Sequence, residues 1–451
     1  MSSTPRRATS HANLLYAWYV VVVLMLCNTL SFADRQILSL LVAPIKRDLA
    51  LSDTRIGLLQ GLAFALFYTV MGLPLGRIAD TRSRRNLISI GVFFWSLMTA
   101  LCSAAKSFWS LFLARMGVGI GEAALAPAAF SLISDYFYAH LLATALSVYS
   151  MGIYIGSGLA LIVGGMVVEA TSRMPAVQVP VLGLMASWRL TFLIVGGPGA
   201  LVSLLVLTVR EPLRRAALET AEGRPSRLSL SEVISQLRLR WQSVAGIAFG
   251  MVFQTTCLFG FNAWAPSVFQ RVYGWQPART GLSLGLMTLV FGCLGMFSGG
   301  RLCDRWKAQG RREAPLRVAV WAAIGHLLFF VPALTAGTPT ITLILLAPAL
   351  FCLGLPIGSS FSAVQLIFPN QVRAQVSAFL LFILNLGGLT LGPLLPGLFN
   401  DYLFRSEKMV GYSLALAIGI ASVAMAIIYR LTYRVYTRHS AEMERSTAAA
   451  L

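Results

Sequence analysis

Apolar runs long enough to span a bilayer recur along the whole chain, and no other feature limits its fold as strongly. A helix needs roughly 20 apolar residues to cross the hydrocarbon core. These runs lack the polar face that a helix in a soluble protein turns to water. Composition agrees. Of 451 residues, 57% are hydrophobic and 12% charged, and the mean hydropathy is +0.74, whereas a soluble domain carries about 25% charged residues. Twelve spans are expected, at 16–43, 54–79, 87–106, 108–137, 141–170, 188–210, 242–272, 277–301, 315–335, 339–368, 371–399 and 408–433. The fold class is therefore an all-α membrane protein, with twelve transmembrane helices in two pseudo-symmetric six-helix bundles, 16–210 and 242–433. A polar linker, 211–241, joins them, and tails 1–15 and 434–451 flank them. The first run is too long for a signal-peptide core and lacks a small-residue cleavage site, so it is expected to stay as helix 1.

The linker begins at Glu211-Pro212, where proline stops the preceding helix. Its stretch Leu228–Leu239 has apolar residues at helical spacing, which reads as a short helix lying on the membrane surface. The formal net charge of +19 would suggest nucleic acid in a soluble protein, but here the basic residues sit in short segments between spans. No basic, aromatic-interleaved module is present to carry nucleic acid. Lys and Arg instead set orientation. Arg6, Arg7, Arg82, Arg84, Arg85, the arginines of 214–240 and the cluster Arg301–Arg317 outnumber the basic residues of the opposite loops. Both termini are expected in the cytoplasm of an inner-membrane, multi-pass protein. The six cysteines form no CxxC pair, and the four histidines show no metal-ligand or nucleophile–base spacing. No catalytic group, metal or cofactor is expected.

The halves repeat. Gly76-Arg77-Ile78-Ala79-Asp80 follows span 2, with Arg84 and Arg85 beyond it; Gly300-Arg301-Leu302-Cys303-Asp304 follows span 8, with Arg305 next. Such an internal repeat is the mark of a transporter with alternating access. The glycine-rich run Arg115-Met-Gly-Val-Gly-Ile-Gly-Glu122 lacks the preceding strand that a phosphate loop requires. Within an apolar run, its glycines read as close helix packing, as do Gly152, Gly156 and Gly158 in span 5 and Gly387, Gly388 and Gly392 in span 11. His326 reads as a packed core histidine.

Ionisable residues at membrane depth are the candidate site, because each costs about 2.5–3.5 kcal/mol on insertion scales unless paired or hydrated. Span 1 carries Asp34-Arg35, and span 4 carries Arg115 and Glu122. At 1.5 Å per residue, Arg35 lies about 12 Å from the outer end of its helix, between Arg115 at about 10 Å and Glu122 at about 21 Å. Arg115 and Glu122, seven apart, share one face, so two acids and two arginines are expected to form a neutral cluster. The simpler reading, that Asp34 and Arg35 reach outward near a helix end, leaves Glu122 without a partner. Glu122 is therefore the leading candidate for a group that gains and loses a proton, with Asp34 second. The second half offers only neutral polar residues at depth: Gln254, Thr255, Thr256, Asn262, Gln365 and Asn385. Its cavity is expected to be mostly apolar, lined by residues such as Phe259, Phe261 and Trp264.

These motifs resemble the major facilitator superfamily over essentially the whole chain. Gly76 to Arg85 is similar to the family's loop 2–3 signature, departing at Thr81, where a basic residue is usual, and at Ser83, where glycine is usual. Arg115 through Gly121 resembles its helix 4 signature. Phe32-Ala-Asp-Arg-Gln36, Leu51-Ser-Asp53, Gly57-Leu-Leu-Gln-Gly61 and Gly119-Ile-Gly-Glu-Ala123 resemble the Spinster-type branch, which is linked to export of sphingolipid-like and lysolipid substrates. The short tails and compact loops suggest a bacterial member. The resemblance implies proton coupling through Asp34, Arg35 and Glu122. It also implies a cytoplasmic gate of Gly76, Asp80, Arg84, Arg85, Gly300, Asp304 and Arg305, with Asp80 beside the start of helix 11 near Gln371–Arg373.

The function expected is thus a proton-coupled secondary transporter for a small amphipathic or anionic substrate, acting as a monomer in the bilayer. A carrier of small organic anions or drugs with the same coupling residues is the alternative. An uncoupled lipid facilitator or scramblase is the alternative from another class, and a membrane enzyme would need a catalytic constellation that the charges do not provide.

Overall fold

The computed structural model describes residues 11–137, 139–174, 177–179, 183–212, 230–368 and 370–449. Among the described residues, twelve helices are long and apolar enough to cross a membrane. Spans 1 to 6 are Leu14–Leu40, Asp53–Thr81, Arg84–Ala104, Phe108–Tyr136, Thr144–Ser172 and Ser187–Leu207. Spans 7 to 12 are Trp241–Arg271, Pro277–Ala308, Ala314–Thr335, Pro339–Val364, Gln375–Phe404 and Glu407–Arg445. Helix starts follow local chemistry. Ser52 and Ser83 accept from the main-chain N–H of Arg55 and Asn86, and Ser107 with Ser110 closes a capping box, each satisfying otherwise orphaned N–H groups. Large apolar side chains such as Ile90, Phe93, Leu201 and Leu204 are exposed on the outer surface, where lipid replaces water as the contact.

The expected repeat governs packing. Span 1 packs on span 5, span 2 on span 4 and span 3 on span 6; span 7 likewise packs on span 11, span 8 on span 10 and span 9 on span 12. Between halves, span 2 meets span 11, span 5 meets span 8, and span 1 meets span 7. Exchanging each helix for its counterpart six places on maps this contact set onto itself. Small residues bring the halves together. A Cβ on Gly61 would sit 2.6 Å from the Leu389 carbonyl oxygen, so span 2 and span 11 touch backbone to backbone there. These contacts lie at mid-membrane and toward the end remote from the chain termini, here called the far end.

Four features differ from the sequence reading. Span 1 breaks at Leu41 into a short amphipathic helix, Val42–Leu49, which ends at Ala50 in the left-handed region (φ 49°). The all-α fold carries one two-stranded hairpin, Val177–Val179 paired antiparallel with Gly183–Met185, before span 6. Helical structure also runs on from span 12 through the segment expected as a tail, to Ala449. Docking explains this: Tyr436 donates to the Ala363 carbonyl at 3.2 Å, and Arg312 pairs with Glu444 at 2.8 Å. Lastly, spans 8, 9 and 11 each contain a π-helical turn, at Thr288–Gly292, His326–Phe330 and Phe399–Phe404. A helix is present in the linker at Leu230–Leu239. Most of the remaining linker lies outside the described residues.

Candidate functional site

Glycine packing places the buried charges. On span 4, a Cβ at Gly119 would lie 2.6 Å from the Phe64 carbonyl oxygen, and one at Gly121 would lie 2.8 Å from the Trp95 main-chain nitrogen. Span 4 therefore sits hard against spans 2 and 3, with Glu122 directed at span 1. Glu122 Oε2 accepts from Arg35 Nη2 at 2.6 Å, from Arg35 Nε at 2.8 Å and from Ser31 Oγ at 2.5 Å. Its Oε1 is buried without a hydrogen-bond partner. The Arg35 guanidinium also lies over three rings, with centroids at 4.3 Å for Phe64 and 4.9 Å for both Phe32 and Tyr68. A cation so placed is held by ring quadrupoles as well as by its carboxylate.

The expected four-charge cluster closes only in part. Arg115 Nη1 donates to the main-chain oxygen of Asp34, at 3.3 Å, and not to its carboxylate. Both Asp34 carboxylate oxygens are buried without a close hydrogen bond, on the side of Trp95 and Thr99 of span 3. Successive helical residues point about 100° apart. Once Arg35 faces span 4 and the central cavity, Asp34 must face span 3.

Arg35 and Arg115 line a small cavity of about 40 Å³ together with Gln36 and Gln60. Phe32, Phe259 and Asn262 also line it, and the same three residues line a second cavity of about 270 Å³, walled mostly by the second half with Ser150, Ile153 and Ser157 of span 5. That larger cavity is walled by apolar side chains such as Met251, Leu258, Met296, Leu350 and Leu353, with Gln254 and Asn385 among its few polar groups. The chamber thus has a cationic end and an apolar end. Phe259 lines it as expected, but Phe261 and Trp264 do not. Both are packed in the core, where the Trp264 indole donates to the Pro393 carbonyl at 2.8 Å. His326 is fully buried, its Nδ1 within 3.2 Å of Ser422 Oγ.

The residues of the repeated loop segments, expected as a gate, differ in what they touch. Arg84 is 1% exposed and ties the start of span 3 to Asp135 and Ser131 of span 4 and, at 2.8 Å, to Glu211 after span 6. Glu211 also accepts from Ser83 Oγ and from the Arg85 main-chain N–H, both at 2.9 Å. Burial pushes the Glu211 carboxyl up, but these three donors outweigh it and hold the group below its ordinary range. Arg84 therefore braces the first bundle internally. The Arg85 side chain bonds Asn86. Asp80, Asp304 and Arg305 are exposed; a Cβ added at Gly76 would meet only the Pro127 Cβ, at 3.9 Å, and one at Gly300 would face open space. The side chains of Gln371–Arg373, expected beside Asp80, lie outside the described residues.

At the far end, the sequence reading missed a network that joins the halves. Asp53, fully buried at the start of span 2, accepts from Arg271 Nη1 at 2.7 Å and Nη2 at 2.9 Å, from Lys46 Nζ at 2.8 Å, and from the Asn400 amide. Asp401 accepts from the main-chain N–H groups of Asp53 and Thr54, and Lys46 also pairs with Glu407 at 2.8 Å. The one sequence signal was the run Leu51-Ser-Asp53, which carried no assigned role.

The sequence profile of the Major Facilitator Superfamily matches residues 24–393. An MFS-type efflux pump of Mycolicibacterium smegmatis is 30% identical over 440 residues, covering 95% of each chain. A sphingosine-1-phosphate transporter of Danio rerio is 29% identical over 85% of this chain and 76% of its own. A solved bacterial homologue of the human lysosomal transporter Spinster, in an inward-facing and unoccupied conformation, superposes with a TM-score of 0.75. It is 25% identical in sequence, and the match covers 97% of this chain and 99% of that one.

Proposed function

The chain belongs to the major facilitator superfamily, as a membrane transporter similar to Spinster-type proteins, and from that premise we propose that it couples protons to movement of an amphipathic anion. The observation that carries this reading is the position of Arg35. Its guanidinium lines the cationic end of a chamber whose other end is apolar, and its carboxylate partner Glu122 keeps one oxygen unpartnered. A proton arriving at Glu122 Oε1 neutralises the acid and frees the guanidinium for an anionic head. The apolar tail then lies among Leu258, Leu350 and Leu353. Because an unpaired buried charge is costly, Arg35 holds either Glu122 or the substrate, and this exclusion is the coupling. Arg115 fixes the main chain at Asp34, and Asp34 is a second proton acceptor. A relative's name as a sphingosine-1-phosphate transporter fits the same head-and-tail chemistry.

Sidedness follows from arginine and lysine. With the termini in the cytoplasm, the end carrying Gly76, Asp80, Gly300 and Asp304 is cytoplasmic, and this conformation faces inward. In the outward-facing state those segments close against the opposite half as the gate. The test is a thermal-shift series with purified protein, since ligands stabilise by mass action. A single-chain phospholipid or phosphorylated sphingoid base should raise the melting temperature more than its head group or its tail alone. Equal stabilisation by a small organic acid would refute the amphipathic reading and favour an organic-anion carrier.

A further inference from the structure

The far-end network borders a cleft of about 510 Å³, lined by Lys46, Arg47, Arg271 and Lys408 against a single carboxylate, Glu407. Arg47 and Lys408 are exposed, while the side chains of Lys46 and Arg271 are only 16% and 8% exposed. Counting Asp53, which those two hold, four cations face two acids. Arg271 uses one N–H on each terminal nitrogen for Asp53, and a guanidinium carries five in all. The ammonium of Lys46 is shared between Asp53 and Glu407. Both cations that hold the halves together can therefore be approached from the cleft before they release Asp53.

We propose that this cleft is a second anion site, for a phosphate-bearing group, and that an anion seated there draws Lys46 and Arg271 away from Asp53 and unlatches the far end. Arginine and lysine around a concave, half-buried floor match phosphate by charge and by donor geometry. Without the anion, Asp53 of the first half keeps its bidentate bond to Arg271 of the second, and the far end stays shut. With it, the two cations have another acceptor and Asp53 is left with Asn400, a neutral partner. The mechanical consequence rests on the alternating-access reading. The binding itself does not, and neither depends on Glu122.

Spin labels at Ser172, ending span 5, and Thr338, preceding span 10, report the far-end separation; both positions are exposed. Two sources of phosphate are compared: glycerol 3-phosphate added to protein in detergent, and nanodiscs of phosphatidylglycerol set against phosphatidylcholine. The expected result is a longer-distance population in at least one anionic arm. A shift with glycerol 3-phosphate alone assigns a free phosphate ester, and a shift with phosphatidylglycerol alone assigns a lipid head group. Replacing both rim cations, Arg47→Gln with Lys408→Gln, should weaken the response about tenfold, the scale of two exposed charge contacts. Asp53→Asn should lengthen the distance without any anion, and the rim variant should keep the wild-type thermal shift with the amphipathic ligand, separating this site from the coupling proposal. Unchanged distances in both anionic arms, or a rim variant that responds like the wild type, would overturn the proposal.

Discussion

Replacing Glu122 by glutamine removes a charge and little else, so its consequences can be worked through. The carboxylate has a fully buried side chain and takes two bonds from Arg35, at 2.6 and 2.8 Å. Removing one partner of a buried ion pair costs about 3–5 kcal/mol. Here the guanidinium keeps three ring contacts, each worth about 0.5–2 kcal/mol, and opens onto a cavity with 16% of its side chain exposed. The net loss should be about 1–3 kcal/mol, a lowering of several degrees in melting temperature. The functional effect is larger in proportion. A gradient of one pH unit stores about 1.4 kcal/mol per proton, which drives about tenfold accumulation of a substrate coupled one to one. In proteoliposomes given the most stabilising ligand of the thermal-shift series, the wild type should approach that ratio. Glu122→Gln should fall to about one, while still exchanging substrate across the membrane. Arg35→Ala should lose binding as well as accumulation, because the cation itself is gone. If Glu122→Gln still accumulates substrate at the wild-type level, the proton is carried elsewhere, and Asp34 is the residue to examine.

Three further outcomes test the structure at other points. Glu211 is held below its ordinary value of 4.5, so its stabilising contribution is full above the unfolded value and is lost as pH falls through the folded one. Glu211→Gln should cost about 1–2 kcal/mol at pH 7, and melting curves of variant and wild type should converge as pH drops below about 4.5; a gap that stays constant would contradict the pairing. At Gly119, valine would press its Cβ to 2.6 Å from the Phe64 carbonyl, so Gly119→Val should lower stability by about 1–3 kcal/mol, and an unchanged melting temperature would rule out that close approach. With exposed Cys293 replaced, a cysteine at Arg311 should react with an impermeant reagent from the cytoplasm alone and one at Thr338 from outside alone, the reverse pattern inverting the topology.

Hydropathy determined the twelve spans, because a bilayer selects long apolar helices whatever their neighbours. Depth along a helix was equally legible: residue counting put Arg35 between Arg115 and Glu122, and the Arg35–Glu122 pair is present. The glycines of span 4 were readable as packing for the same reason, since inside an apolar run a missing side chain has little other use. What the chain alone did not decide is which way each charge turns and whom it meets. Asp34 lies beside Arg35 in sequence yet faces span 3, because packing fixed the rotation of span 1 about its own axis. Arg84 belongs by pattern to a loop expected at the gate, and nothing in that pattern says that it closes on Asp135 and Glu211, groups whose proximity comes only from the bundling of spans 3, 4 and 6. Asp53 and Arg271, 218 positions apart, meet only where one half leans on the other. A sequence carries period and depth along each helix. Azimuth and the docking of the two halves arise from side-chain packing between distant segments, and there the tertiary structure alone decides.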